Sequence, residues 1–359
     1  MNNPFVSYTE NNKPYLTDIC SINKLCISEL PFCDVTDDVL NKRANEIFST
    51  KVIADIIRKN AKALKINEQE YTNSQLIKEL EMLLDCEDLT VSSKAKELYR
   101  MFGYRLGIIL LTLKQGREKN RQSRPRWSNA HWEYWNRLKR LILVGGLTNG
   151  KSGEILKKHA LEAFELAGEK PYEILLFPNA SHYGTLGCAT LIKDKSRSAV
   201  VFDFGQTNIK RCIVDFSGEG ILADEFLESI PSMYMEWNDL SDEKKKDLAK
   251  KLHKRLVEVI TNTYKEVKLK KDIGKEIVIS IASYTVEGSL HVERGGYAKL
   301  TCLSCNYGEY LERELRRELN EEVCVTLIHD GSAVAQYFKN YKDAACISLG
   351  TAFGVGFPM

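Results

Sequence analysis

Three short apolar runs constrain this chain more than any other feature, because each ends directly in a turn of small and polar residues. They are Leu141-Ile-Leu-Val144 before Gly145-Gly146, Ala199-Val-Val-Phe-Asp-Phe204 before Gly205-Gln-Thr-Asn208, and Ala345-Cys-Ile-Ser-Leu349 before Gly350-Thr-Ala-Phe-Gly354. Such runs read as strands buried in a sheet with helices against it. Glu173–Phe177, Ile277–Ala282 and Cys324–Ile328 read as further strands, and Lys210–Phe216 pairs back on 199–204 as a hairpin. Between them, Ser152 caps a helix through about Ala167, Gly184–Leu191 forms a small-residue helix, 242–270 a long charged one and Tyr307–Glu321 another. From about residue 140 onward the rhythm is therefore α/β.

Upstream, residues 5–30 read as short strands around a polar turn, and about 37–118 as helical. Thr36 and Asp37 are N-cap candidates, Asn73-Ser74 opens a second helix, and Ser92-Ser93 opens a third that is apolar nearly all round and so buried. The polar stretch Lys193–Ser198 is the best boundary candidate. The 359 residues suggest two domains at roughly 150 residues each.

The chain carries 51 Lys+Arg against 49 Asp+Glu, a net charge of +2, which removes the simple case for a nucleic-acid or anionic-membrane surface. The basic stretch Arg117–Arg126 beside Trp127, Trp132 and Trp135 offers an RNA, membrane or protein contact, but it lacks periodicity and reads first as a solvated loop. No secretory signal is visible and no apolar run reaches membrane-spanning length, so a cytoplasmic protein with no membrane partner is expected. Its 10 cysteines then read as reduced core residues, and Cys302-x-x-Cys305 lacks a second ligand pair for zinc.

Four turns carry chemistry. Asp203-x-Gly205-x-Thr207-x-x-Lys210 sets backbone amides and a hydroxyl where they can face a phosphate, with an Asp able to hold Mg²⁺ directly or through water. Gly350-Thr351-Ala-Phe-Gly354 has the same logic. Gly145-Gly146 opens a close backbone approach for a flat ligand. His329-Asp330-Gly331 puts a carboxylate at a strand end, where it can take a proton from a substrate hydroxyl. Each also has a plain reading: a hairpin turn, close helix–strand packing, or an N-cap Asp.

Together these elements resemble the phosphate-1, phosphate-2, adenosine and catalytic-Asp motifs of the sugar-kinase and actin superfamily. The match is to the ROK family of sugar kinases and repressors, whose patterns are D-x-G-G-T-x-x-K, S-L-G-T-G-x-G-x-G, I-x-x-G-G-x and N-D-x-N-x-A-A. The family order runs phosphate-1, catalytic Asp, phosphate-2, helical region, adenosine motif. Here the helical region and adenosine motif come first, so the chain resembles a circularly permuted ROK protein, its old ends joined through Lys193–Ser198. Gln206 and Ala352 replace motif glycines, His329 and Ser332 replace two motif asparagines, and the window 18–48 lacks the family's histidine and zinc knuckle, so no structural zinc is expected.

The resemblance implies two ribonuclease-H-like, actin/hexokinase-type lobes around a nucleotide cleft: 1–192 like the ROK C-terminal half, and 199–359 like the N-terminal half with phosphate-1, catalytic Asp and phosphate-2. It implies an ATP-dependent kinase acting on a hydroxyl of a sugar or sugar-like molecule. Asp330 would be the general base and Asp203 would hold Mg²⁺ through water. Gly205, Gln206, Thr207, Lys210, Gly350, Thr351 and Gly354 would hold the phosphates of Mg-ATP, Gly145 and Gly146 would admit adenosine, and His329 and Gly331 would touch substrate. A non-catalytic sugar- or nucleotide-binding protein on the same fold is the alternative. A module using 117–137 for protein contacts is a second. The helix-turn-helix domain of the ROK repressors is not found in the sequence, so no nucleic-acid partner is expected, and a homodimer stays open.

Overall fold

A computed structural model describes residues 2–32, 38–218, 220–233, 240–291 and 295–358. Cys33 and the N-cap candidates Thr36 and Asp37 lie outside the described residues. In chain order the strands are β1 (Val6–Tyr8), β2 (Pro14–Leu16), β3 (Arg140–Val144), β4 (Glu173–Leu176), β5 (Ser198–Phe204), β6 (Asn208–Ser217) and β7 (Gly220–Pro231), followed by β8 (Ile273–Ile281), β9 (Thr285–Val286), β10 (Ser289–Leu290), β11 (Cys324–His329), β12 (Ala344–Ser348) and β13 (Gly354–Gly356). The expected α/β class holds: a four-stranded and a five-stranded sheet are covered by helices.

The chain forms two compact units. Met1–Phe5, Ile19–Ser181 and Lys342–Val355 make the first; Val6–Asp18, His182–Tyr341 and Gly356–Met359 make the second. This corrects the expected division into 1–192 and 199–359. β12 forms a parallel ladder with β3, Ala344 opposite Arg140 and Ser348 opposite Val144, so the segment after Tyr341 joins the first unit. At the other boundary, Cys188 and Ala189 pack into a core with Ala199 and Val201, which ties the Tyr183–Ala189 helix to the second unit. Lys193–Ser198 thus lies inside a unit, not between two.

In the first unit the strand order is β13-β12-β3-β4, and β3 and β4 are parallel. The Leu89–Gln115 helix is buried as its sequence predicts, but its cap is Asp88, whose Oδ1 accepts from Thr90 and Val91 N–H at 3.0 and 3.2 Å, rather than Ser92-Ser93. Gly107 lets it cross the Gly150–Leu166 helix closely: a Cβ there would lie 2.6 Å from the Ala163 Cβ. The Arg117–Arg126 stretch is not a solvated loop. Arg117 donates to the carbonyls of Leu30 and Pro31, Arg124 and the Trp127 indole both donate to Ile19 O at 2.7 Å, and Trp127, Trp132 and Trp135 are buried. An arginine fork that satisfies irregular backbone carbonyls gives no periodic signal, which is why it reads as loop.

In the second unit the order is β11-β8-β5-β6-β7, with β5, β6 and β7 antiparallel and β5, β8 and β11 parallel. Alternation along β5 sorts its side chains. Val200, Phe202 and Phe204 join Leu252, Leu256 and Ile260 of the Asp242–Lys268 helix in one core, while Ala199 and Val201 join Cys188, Ala189 and Ala333 on the opposite face. Asp203 falls on that second face, the one covered by the Tyr183–Ala189 and Asp330–Tyr337 helices.

Candidate functional site

Parallel pairing brings the ends of β5, β8 and β11 level: Phe204 is opposite Ile281, and Ile281 opposite His329. Ligands in open α/β sheets gather outside such carboxyl ends. Asp203 is one residue back from that edge and Asp330 one residue beyond it.

Asp203 is buried and doubly held. Ser280 Oγ donates to its Oδ1 at 2.6 Å, and Lys210 Nζ bonds its Oδ2 at 3.1 Å. Lys210 is its cross-strand partner on β6, so the sequence spacing Asp203…Lys210 is a direct consequence of the hairpin register. Gly184 packs against the same carboxylate, where a Cβ would come within 3.0 Å of Asp203 Cγ. The turn Gly205–Thr207 is closed by Gly205 N–H donating to Asn208 O at 3.0 Å. It is braced by Tyr297 Oη donating to Gly205 O at 2.9 Å and Ser232 Oγ donating to Gln206 O at 2.6 Å. Neither brace is visible in the sequence, since both come from distant residues. Thr207 is exposed at the tip.

Asp330 is the first residue of its helix and not the cap. The cap is His329, whose Nδ1 accepts from Ser332 N–H at 3.3 Å. Asp330 Oδ1 accepts from Gly331 N–H at 2.7 Å and lies 3.0 Å from His329 Nε2. Burial and the Asp203 charge push the Asp330 carboxyl up to about 7, against the opposing pull of Gly331 N–H and Lys210. Burial also drives His329 down to about 3, so its imidazole is neutral. Asp203, Gly205, Gln206, Thr207, Lys210, His329, Asp330 and Gly331 all belong to this one unit.

The remaining predicted site residues belong to the other unit, which corrects the grouping of both phosphate motifs in one lobe. There the two turns meet side by side, because β3 and β12 are parallel neighbours. Leu349 N–H donates to Val144 O at 2.7 Å, and Gly145, at φ +102°, passes so close that a Cβ would sit 2.4 Å from Leu349 O. Only glycine fits that position. Gly146 and Gly350 have open space where a side chain would begin. Asn23, whose signal no motif carries, clamps the second turn by accepting from Phe353 N–H and donating to Phe353 O, both at 2.8 Å. Thr351 is exposed and Gly354 begins β13.

Among the described residues no group of three or more His, Cys, Asp or Glu side chains is arranged to hold a metal, and Cys302 and Cys305 are free and exposed. Among the described residues no helix is long and apolar enough to cross a membrane. No family model matches the chain, and no curated protein matches it at a significant level.

Proposed function

We propose that this chain is an ATP-dependent phosphotransferase acting on a hydroxyl of a sugar or sugar-like small molecule, built as a circularly permuted ROK-like pair of ribonuclease-H-like lobes. The observation that carries this reading is Asp330. It is a strand-end carboxylate, poised near 7 by burial and by Asp203, with one oxygen held by the Gly331 N–H. A general base works best with a pKa near the working pH. The sheet order β7-β6-β5-β8-β11, three antiparallel strands continued by two parallel ones, supports the lobe assignment.

The roles follow from the chain's own groups. Asp330 accepts the proton of the acceptor hydroxyl as its oxygen attacks phosphorus. Mg-ATP, when bound, supplies the transferable phosphoryl group and the cation that neutralises its charge. The residues fit a hydrated divalent cation, because two carboxylates share one sheet end and the charge of Asp203 raises Asp330. Asp203 would hold it through water, with Lys210 balancing the same carboxylate. Gly205–Thr207 offers the amides and hydroxyl of a phosphate turn, and Gly350–Gly354 offers a second. Gly145 and Gly146 leave backbone open to a flat base.

The test is a panel of sugars, amino sugars and polyols with Mg-ATP, scored by ADP release and by product mass. At least one acceptor is phosphorylated. Asp330→Asn lowers that rate by about 10²–10⁴-fold while ATP affinity stays within a few-fold. ATP binding without turnover on any acceptor overturns the kinase reading in favour of the non-catalytic binder. Near-full activity of Asp330→Asn overturns the role of Asp330.

A further inference from the structure

One groove on the first unit gathers more positive charge than the near-neutral chain would lead one to expect. We propose that the face shared by the Leu89–Gln115 and Gly150–Leu166 helices is a binding site for a small organic phosphate monoester, with Lys96, Arg100 and Lys158 as its anion contacts. It does not rest on the phosphotransfer reading.

The two helices approach closely at Gly103, where a Cβ would lie 2.5 Å from His159 Cβ. At that crossing a groove of about 450 Å³ is lined by Lys96, Glu97, Arg100, Ile155, Lys158 and His159. Helical spacing sets the lining: Lys96 and Arg100 stand about one turn apart on one helix, Ile155 and His159 on the other. The volume is that of a small-molecule site and far more than a bare ion fills. Ile155 and the alkyl stems of the lysines supply the apolar surface against which an organic body can lie.

The charges here do not cancel. The whole chain has 51 Lys+Arg against 49 Asp+Glu, but the groove sets three cations against one carboxylate. That carboxylate, Glu97, is taken by Lys94, whose Nζ donates to its Oε1 at 2.9 Å. Glu162, one turn beyond Lys158, is taken too: His159 Nδ1 lies 2.7 Å from its Oε2, and Tyr104 Oη donates to the same oxygen at 3.3 Å. Lys96, Arg100 and Lys158 are exposed, and among the described residues none is within ion-pair distance of a carboxylate; Arg100 and Lys158 act on Glu162 only from further away. Arg100 is also steadied. Its guanidinium lies 5.5 Å from the centre of the Tyr104 ring, which stacks on His159 at 6.0 Å. A guanidinium held on an aromatic face is pre-organised to fork an anion. One such fork beside two ammonium groups is the donor set for a phosphoryl dianion.

The probe is glucose 6-phosphate, titrated into the full-length protein labelled with ¹⁵N-histidine. The chain carries 6 histidines, and His159→Gln and His329→Gln assign the two signals that matter. Glucose 6-phosphate saturates and moves the His159 signal; inorganic phosphate competes with it, glucose does not, and added salt weakens it. Arg100→Gln with Lys158→Gln weakens binding by about 10-fold or more, the effect of losing one charge-assisted hydrogen bond. Lys246→Gln with Lys250→Gln removes two exposed cations from the other unit and changes binding by less than about two-fold. Equal weakening by the two pairs reduces the effect to net charge and overturns the site. So does movement of the His329 signal without the His159 signal, competition by glucose, or no saturation below about 10 mM. Heparin held more tightly than the ester through Arg100 and Lys158 overturns the small ligand in favour of a polyanion.

Discussion

Gly187→Ala tests how tightly the helix bearing Asp330 is held. A Cβ on Gly187 would lie 1.7 Å from the Ala333 carbonyl oxygen and 2.4 Å from its carbon. Contacts of that kind do not close below about 3.0 Å in a packed interior, so the Tyr183–Ala189 and Asp330–Tyr337 helices must part by roughly 1.3 Å. Two effects oppose each other. Alanine in a helix gains about 1 kcal/mol over glycine. Overpacking a filled contact costs about 1–3 kcal/mol, and here the neighbours Cys188 and Ala333 are fully buried and have nowhere to yield. With the overpacking at the upper end of that range the clash wins, for a net loss of up to about 2 kcal/mol, or several degrees of unfolding temperature at about 2–4 °C per kcal/mol for a unit of this size. Ala333 is less than one helical turn from Asp330, so the displacement reaches the carboxylate, and on the proposed reading phosphotransfer to an acceptor found in the panel falls by up to about 10²-fold. Thermal unfolding followed by circular dichroism, beside a turnover assay, reads both. A variant that unfolds at or above the wild-type temperature refutes the close packing from which the loss is derived.

Three further perturbations have definite signs. Asp330 titrates near 7 when folded against 3.8 in a free chain, so it weakens the fold progressively as pH climbs through that interval; Asp330→Asn should be more stable than wild type at pH 8 by about 1 kcal/mol or more, discounted because the side chain is 35 % exposed, with the gap closing toward pH 4, and urea midpoints at the two pH values decide. Lys210→Met removes a cation that lowers Asp330, so the acid limb of the pH–rate profile should move to higher pH, and a limb that stays or moves down excludes that coupling. Arg124→Ala removes a charged donor to Ile19 O and a cation 4.8 Å from the Trp127 ring, for a loss of about 2 kcal/mol, whereas exposed Arg126→Ala should stay within about 0.5 kcal/mol; equal urea midpoints for the two variants would show the inward clasp to be idle.

The parts legible in the sequence are those written locally. Phe204 and Ile209 flank Gly205–Asn208 as the hairpin pattern requires, and the run Ala345–Leu349 announces a buried strand. What such a run cannot announce is its partner: β12 lies beside β3, far away in the chain, and that single pairing moves the unit boundary. The sequence does not announce β7, because an edge strand exposed along most of its length keeps acids such as Asp224, Glu225 and Glu228 and loses the apolar alternation that marks a strand. At the site, the glycines and carboxylates of the turns stand out by type. Their supports do not: Tyr297, Ser280, Ser232 and Asn23 act through one hydrogen bond or two each, to a backbone group or to the Asp203 carboxylate, and a lone bond from a distant residue leaves no spacing to read. The capping role that the sequence offers Asp330 belongs to His329, one residue earlier.

The β3–β12 ladder also governs how this protein comes off the ribosome. β3 is made about 200 residues before the strand that flanks it, so the edge of Leu141–Val144 stays open during most of the remaining synthesis. The second unit needs no such wait for its β5–β6–β7 meander, whose strands follow one another directly. The later-made unit can thus order its sheet while the earlier-made one still lacks a central strand, and nascent chains stalled before residue 344 would expose an apolar edge that recruits chaperones or aggregates.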